Sequence, residues 1–372
     1  MRNNDVVLTL EEKLYLYKYF RSINALLSRR MLPGRKPNEE HLTSTLCELL
    51  DERYEALHNL DYTWSMLIND FNKENILNAF SLEIQTNEHY KKFEGKYSYA
   101  DLGIVVNYHN SFTGFTSTRA ILFQAKKLFP NNNQYNLSSR YESFDIEQLN
   151  NLFSIGAIYD KKKCGYGDAP SSEYLFYLFY DPLQNNFSKT SHQKLLYLNE
   201  IRGHHRISHR HNKHMEGYDL MLPYFQKIQW KLYFNEELEY LPQIGMVVLS
   251  AHDLWCRIMT KKSYGDDRPI SCFSIDDKRD DFKIRKSYER YKPRFEDIYC
   301  NMEEWPYLNA IQFEDFMVFH LLTSYLGSQN EGIIKIASGE PPDTKRNWAT
   351  KYSIKIDIES RHDDLNVHSI KK

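Results

Sequence analysis

The sequence has 372 residues, a length that suffices for two ordinary domains or for one core with large insertions. Of these residues 41% are hydrophobic and 15% aromatic, a composition that excludes a disordered chain. Its formal net charge of −2 excludes nucleic-acid binding by overall charge, so such a partner would have to be held by local basic patches. The cysteines are scattered and include no Cys-x-x-Cys pair, which predicts a protein of the reducing cytoplasm. No apolar run approaches the ~20 residues of a membrane helix, so we expect a soluble protein with no membrane partner.

Two amphipathic helices are predicted near the N-terminus. The first spans 10–32, and Thr9 with Glu12 forms a capping box at its start. Its broad apolar face predicts packing on something larger. The second helix begins after the capping residue Asn38 and runs over 39–57, with leucines at helical spacing.

Two glutamates occupy the first turn of this second helix. Glu39 belongs to the same inward stripe as Leu42 and Leu46, whereas Glu40 lies one step further round the helix. Both carboxylates could simply stabilise the positive end of the helix dipole. Both also stay open as candidates for a functional carboxylate.

A short helix and three strands are predicted next, over 64–71, 80–85, 101–106 and 119–126. The last two strands flank a polar connection that contains Gly114, a pattern typical of an antiparallel hairpin. If Asp101 opposes Gln124, opposed residue numbers sum to 225 and the turn is centred between residues 112 and 113, in the middle of the polar connection. Asp101, Gln124 and Lys126 should then share one face at the end of the hairpin.

The chain beyond the hairpin predicts a helix over 146–159 and buried strands over 173–180 and 244–251. A helix followed by a strand after the hairpin predicts a crossover of the kind found in α/β folds. Residues 186–243 would then form an insertion. It contains a stretch rich in His and Arg over 202–214, whose spacing does not favour a metal site; a basic loop that touches phosphates and a solvated loop both fit it.

The last third of the chain predicts an amphipathic helix over 313–326, ended by Gly327, and a strand over 352–358. No activity can be assigned to this part from its residues. It could complete the core, bind DNA or contact a partner.

Asp101 and the run Gln124-Ala125-Lys126 resemble the Asp…(Glu/Gln)-x-Lys signature of the PD-(D/E)xK nuclease superfamily, in the Gln-x-Lys variety of Mrr-like restriction endonucleases. That family places the Asp at the start of one central strand and the Gln-x-Lys at the end of the next. It also carries a Glu on a preceding helix. The resemblance favours Glu39 for this role, with Glu40 as a substitute.

The resemblance implies an α/β fold with a restriction-endonuclease-like core, in which a mixed central sheet is flanked by helices. This core would occupy residues 36–260, including the insertion at about 186–243. Residues 1–35 would form a helix that packs on it, and residues 261–372 a C-terminal α+β extension of unknown role.

The activity implied is a Mg²⁺-dependent endonuclease. Asp101 would be the main anionic ligand, and the Gln124 side-chain carbonyl and the Ala125 main-chain carbonyl would add neutral oxygens, as suits a hard cation. Glu39 would bind the ion directly or through water, and Mn²⁺ could replace Mg²⁺. Lys126 would orient the attacking water and neutralise phosphate charge.

Three functions from different classes follow. The first is a DNA endonuclease serving as a bacterial restriction or anti-phage defence effector. The second is a catalytically silent nuclease fold that binds nucleic acid or assembles a defence complex, and the third is a ribonuclease. The expected partners are DNA before RNA, and a second copy of the chain or another protein of a defence system.

Overall fold

A mixed sheet with helices packed against it forms the centre of the fold. The computed structural model describes residues 8–31, 37–89, 100–130, 132–133, 140–141, 152, 155, 158–159, 174–182, 215–216, 245–251, 311–322, 326–341 and 349–361. The described helices are α1 (Leu10–Arg30), α2 (Glu39–Leu50), α3 (Glu52–Glu55), α4 (Trp64–Lys73), α5 (Phe313–Asp315) and α6 (Glu331–Ala337). The described strands are β1 (Phe80–Glu88), β2 (Leu102–Asn110), β3 (Phe115–Phe129), β4 (Arg140–Tyr141), β5 (Leu175–Tyr180), β6 (Met215–Glu216), β7 (Val247–Ser250), β8 (Ile311–Gln312) and β9 (Tyr352–Ser360).

The strand order is β1-β9-β2-β3-β5-β7-β8, with β4 beside β3 and β6 beside β4. The predicted fifth strand is confirmed, because β7 pairs antiparallel with β5. The predicted strand near the C-terminus is confirmed as β9, which lies between β1 and β2 and runs parallel to β2. Part of the chain beyond residue 260 therefore completes the core sheet.

The hairpin of β2 and β3 has the register that the sequence predicts. Its pairs run from Leu102 opposite Phe123 to Asn110 opposite Phe115, so that opposed numbers sum to 225 and residues 111–114 form the turn. Both strands extend further toward this turn than the apolar runs indicate. The predicted end of the second strand at residue 126 is wrong, because β3 continues to Phe129 and its last residues pair with β4. The middle of β3, over 119–128, is buried throughout, as expected for a strand covered on both faces.

The predicted cap of α1 is present. The Thr9 N–H donates to Glu12 Oε2 at 2.7 Å, and the Glu12 N–H donates to Thr9 Oγ1 at 3.2 Å. The buried side of α1 packs against α2, α4 and α5, where Phe20 meets Phe313 edge-on. This first helix thus covers the core, as its broad apolar face predicts.

The predicted end of α2 at residue 57 is wrong, because the helix stops at Leu50. Asp51 leaves the helical conformation and accepts a hydrogen bond from the Arg53 N–H at 3.0 Å, which caps α3. Its other carboxylate oxygen accepts from the main chain and the hydroxyl of Thr86 on β1, both at 3.2 Å. These hydrogen bonds fix a break in the helix and join it to the sheet.

The predicted helix over 313–326 begins as α5 and continues as a π-helix over Phe316–Leu322. Phe316 packs on Phe123 of β3 and Phe176 of β5, with ring centroids 5.6 and 5.1 Å apart. The buried Arg119 guanidinium donates to the Leu321 carbonyl at 2.6 Å, which satisfies a carbonyl near the end of the helix.

The opposite face of the sheet carries α6 at a very short distance. A Cβ at Gly103 on β2 would overlap the main-chain O, Cα and C atoms of Ala337 on α6. The glycine therefore allows a helix backbone to lie directly on a strand.

Parts of the sequence prediction lie outside the described residues. Of the helix over 146–159, only 152, 155 and 158–159 are described, and all four are helical. Of the insertion, only Met215–Glu216 are described, and they pair with β4. The stretch over 202–214 lies outside the described residues. None of the described helices is both long and apolar enough to cross a membrane.

Candidate active site

Asp101 lies beside β3 at the point where the pairing of β2 with β3 ends. Asp101 precedes β2, and one further step of the register places it opposite Gln124. The Gln124 Nε2 group donates to Asp101 Oδ2, and the Ala125 N–H donates to the same oxygen at 2.8 Å. The Asp101 N–H in turn donates to the Phe123 carbonyl at 2.8 Å, so strand pairing holds this carboxylate in place.

Lys126 and Glu39 form the second half of the site. The Lys126 side chain is only 2% exposed, and its Nζ lies 3.9 Å from Glu39 Oε2. The Glu39 side chain is 28% exposed and also accepts a hydrogen bond from the Lys127 main chain. The first turn of α2 thus lies beside residues 126 and 127 of β3.

A short chain of hydrogen bonds fixes this first turn. The Tyr180 hydroxyl at the end of β5 donates to Thr43 Oγ1 at 2.9 Å, and Thr43 Oγ1 donates to the Glu39 carbonyl at 2.9 Å. Because Tyr180 and Thr43 are both buried, this contact holds the main chain of Glu39 against the sheet.

The choice between the two glutamates of α2 follows from their partners. Glu39 lies beside Lys126, whereas the Glu40 carboxylate forms an ion pair with Lys351, the residue before β9. Glu39 is therefore the helix carboxylate that joins the cluster, and Glu40 contacts a different cation at its edge.

Both carboxylates of the cluster ionise with difficulty. Burial raises the pKa of Asp101, against the opposing effects of the Ala125 N–H and the Lys126 charge. Burial also raises the pKa of Glu39 to about 7, and the negative charge of Asp101 adds to the rise, while Lys126 lowers it. The charge of Lys126 does not outweigh the effect of burial, so a bound cation would favour the ionised form of both carboxylates.

The raised pKa of Glu39 predicts how the stability of the metal-free protein depends on pH. The pKa rises from the ordinary 4.5 to about 7 on folding, so the folded state binds this proton more tightly. The resulting stability is fully present below pH 4.5 and is lost as the pH rises through 7. Relative to Glu39→Gln, we expect the free energy of unfolding in EDTA to fall by up to about 3 kcal/mol across this window.

Urea unfolding of both proteins at several pH values measures this difference. Parallel curves for wild type and Glu39→Gln between pH 4.5 and 7.5 would show that Glu39 titrates normally.

The side chains present fit a hard divalent cation. Mg²⁺ binds through one or two carboxylates together with neutral oxygens and water, and Asp101 and Glu39 supply the carboxylates. The Gln124 amide donates through its nitrogen, so its carbonyl oxygen is the group that could coordinate, together with the Ala125 carbonyl. Within the described part of the chain, no group of three or more His, Cys, Asp or Glu side chains forms a richer metal site.

Sequence reasoning missed Lys351 and Tyr180 at this site. The alternation over 352–358 predicts a strand but does not reveal its neighbour, because β9 pairs in parallel with a segment 250 residues earlier in the chain. Tyr180 ends a strand whose aromatic residues all suit a buried core.

Comparison of the chain with protein-family models, curated proteins and solved structures gives no match.

Proposed function

We propose that this chain is a metal-dependent endonuclease that hydrolyses DNA phosphodiester bonds, built on a PD-(D/E)xK, restriction-endonuclease-like core. The observation that carries the proposal is the buried Lys126 ammonium, which lies 3.9 Å from Glu39 on the same strand end as the Asp101–Gln124 hydrogen bond. A lysine this deeply buried beside carboxylates of raised pKa is more typical of a functional site than of a surface hairpin.

The order of the elements supports the same proposal. The helix that carries Glu39 precedes β1, β2 and β3, and β5 follows helical residues and runs parallel to β3. A parallel pair joined through a helix is the crossover expected of an α/β nuclease core. The candidate residues lie where the pairing of its two central strands, β2 and β3, ends.

In the proposed reaction Asp101 and Glu39 hold Mg²⁺ or Mn²⁺, with the Gln124 and Ala125 carbonyl oxygens as neutral donors. Such an ion supplies a Lewis acid for the phosphoryl oxygen and lowers the pKa of a bound water. The Lys126 ammonium orients the attacking water and offsets the negative charge that develops on the phosphate. The Ala125 N–H and the Gln124 amide hold the Asp101 carboxylate in place throughout.

Cleavage of supercoiled plasmid DNA, with Mg²⁺ and with EDTA, tests the proposal. We expect cutting with Mg²⁺ or Mn²⁺ and none with EDTA. Equal cutting in EDTA would contradict a metal-dependent reaction. A competing RNA substrate in the same assay separates a DNA endonuclease from a ribonuclease. Loss of protection against phage in cells that carry a cleavage-deficient variant tests the restriction or anti-phage role.

The neutral side chain at position 124 favours one second candidate, a catalytically silent nuclease fold that binds nucleic acid or assembles a defence complex. An amide gives the ion less charge than a carboxylate would, and here it donates a hydrogen bond to Asp101. A wild-type protein that binds DNA but does not cut it, and whose biological activity survives loss of Lys126, would establish this alternative.

Replacing Gln124 by Glu distinguishes coordination from mere hydrogen bonding. We expect Gln124→Glu to lower the melting temperature in EDTA, because a carboxylate replaces the amide donor next to Asp101. Mg²⁺ should then raise the melting temperature of this variant more than that of wild type, and metal-dependent cleavage should persist. Thermal unfolding with and without Mg²⁺ measures both effects, and complete loss of activity would contradict coordination by residue 124.

A further inference from the structure

A second lysine lies next to the site on the side away from Lys126. Strand β9 runs parallel to β2 with Leu102 opposite Tyr352, and the Tyr352 N–H donates to the Asp101 carbonyl at 3.1 Å. One further step of this register places Lys351 beside Asp101, on the face of the sheet that also carries Gln124. Three neighbouring strands therefore contribute a row of Lys351, Asp101 and Gln124.

The positive charge of Lys351 acts on Asp101. Burial raises the pKa of Asp101, and the charge of Lys351 opposes this rise. Its side chain is only 9% exposed, and its ammonium forms an ion pair with the Glu40 carboxylate, whose side chain is 49% exposed. An accessible carboxylate is thus paired with a largely covered lysine side chain at the edge of the proposed site.

This arrangement suits the exchange of one anion for another. DNA approaching the site brings phosphate charge toward Asp101, Glu39 and Glu40, and like charges repel. Glu40 can turn toward water because its side chain is 49% exposed, which makes room for another acceptor beside the largely covered Lys351 side chain. A phosphate oxygen provides that acceptor, so the exchange keeps a charge-assisted hydrogen bond on the lysine.

Resting on the proposed function, we infer that Lys351 is a second phosphate-binding residue of the site, held by Glu40 in the free protein and released to a DNA phosphate in the complex. Lys126 lies on β3 and Lys351 precedes β9, on opposite sides of β2. The two positions are two strand spacings apart across the sheet and two residues apart along it, roughly 12 Å in all, so the lysines contact different phosphates.

The salt dependence of DNA binding tests this inference. Fluorescence anisotropy with a labelled duplex in Mg²⁺, over a series of KCl concentrations, uses the full-length chain carrying Lys126→Met to prevent cleavage. Adding Lys351→Met should lower the slope of log Kd against log salt by about 0.9, the value for one phosphate contact. Lys351→Arg should keep the slope.

In the wild-type background, Lys351→Met should raise KM for cleavage severalfold and change kcat less.

The Glu40 variant separates a phosphate contact from a purely structural ion pair. Glu40→Gln should tighten DNA binding by about two- to fivefold, because binding no longer has to break the pair with Lys351. A structural pair predicts the opposite, namely that Glu40→Gln and Lys351→Met weaken binding alike. Thermal unfolding of each variant shows that it is folded at the assay temperature.

Lys355→Met is the matched control. Lys355 lies on β9, four residues after Lys351 and on the same face of the sheet. It also forms an ion pair, with Asp357 at 2.7 Å, but its neighbour on β2 is Val105 and not Asp101. Its substitution should leave the slope unchanged. An unchanged slope for Lys351→Met, or an equal change for Lys355→Met, would overturn the inference. A wild-type protein that neither binds nor cuts DNA would instead overturn the proposed function.

Discussion

Replacing Lys126 by methionine is expected to reduce Mg²⁺-dependent cleavage of DNA by about 10³-fold. The ammonium group is lost from its place 3.9 Å from Glu39, so residue 126 can no longer orient the attacking water. Methionine keeps an unbranched apolar side chain of similar length, which preserves packing at a position only 2% exposed. Single-turnover rates on a linear duplex measure the effect on chemistry without product release.

The control for this variant is Lys355→Met, which removes the same charge from the same sheet at a position with 48% of its side chain exposed. It should cut DNA at the wild-type rate. Cleavage by Lys126→Met at more than about a tenth of the wild-type rate would contradict a direct role for Lys126 in the reaction. An inert wild type beside an inert variant would favour the silent nuclease fold, and preferential cutting of RNA would favour the ribonuclease.

Replacing Gly103 by alanine is expected to lower the free energy of unfolding by about 3 kcal/mol. The new Cβ would overlap main-chain atoms of Ala337, which cannot move aside by rotating a side chain. Helix α6 must therefore shift away from β2. The start of β9 should move with it, because the Thr350 N–H donates to the Ile336 carbonyl of α6 at 3.1 Å. Urea unfolding measures the loss.

Gly114→Ala provides the comparison for this glycine. Gly114 lies in the hairpin turn at a φ of +70°, and a Cβ there would meet no described atom within 4 Å. Alanine at this position should cost only the strain of a left-handed backbone, about 1 kcal/mol. Equal losses for the two variants would show that α6 yields easily and that its close contact with β2 is of little energetic importance.

The sequence predicts the parts of this site that depend on neighbours close in the chain. The hairpin register follows from two apolar runs and the polar segment between them, and this places Asp101 opposite Gln124 without further information. The first turn of α2 follows likewise from the cap at Asn38, whose side chain accepts from the His41 N–H at 2.8 Å.

Contacts between distant segments could not be predicted in the same way. The break at Asp51 depends on hydrogen bonds from Thr86 on another element, and a helix pattern alone continues through it. The position of β9 depends on parallel pairing, which leaves no turn signal in the sequence. Lys351 could therefore be read as part of a strand end but not as a neighbour of Asp101.

The place of β9 also bears on how the protein is made. A ribosome that has synthesised β2 must add about 250 further residues before Ser360 emerges, which takes roughly 12 to 50 s at ordinary rates of translation. Until then β1 and β2 each expose an edge that only the late strand can cover, and these edges are open to pairing with other nascent chains. Chaperone binding in this interval would protect them, and Lys351 reaches Asp101 only after β9 has been synthesised.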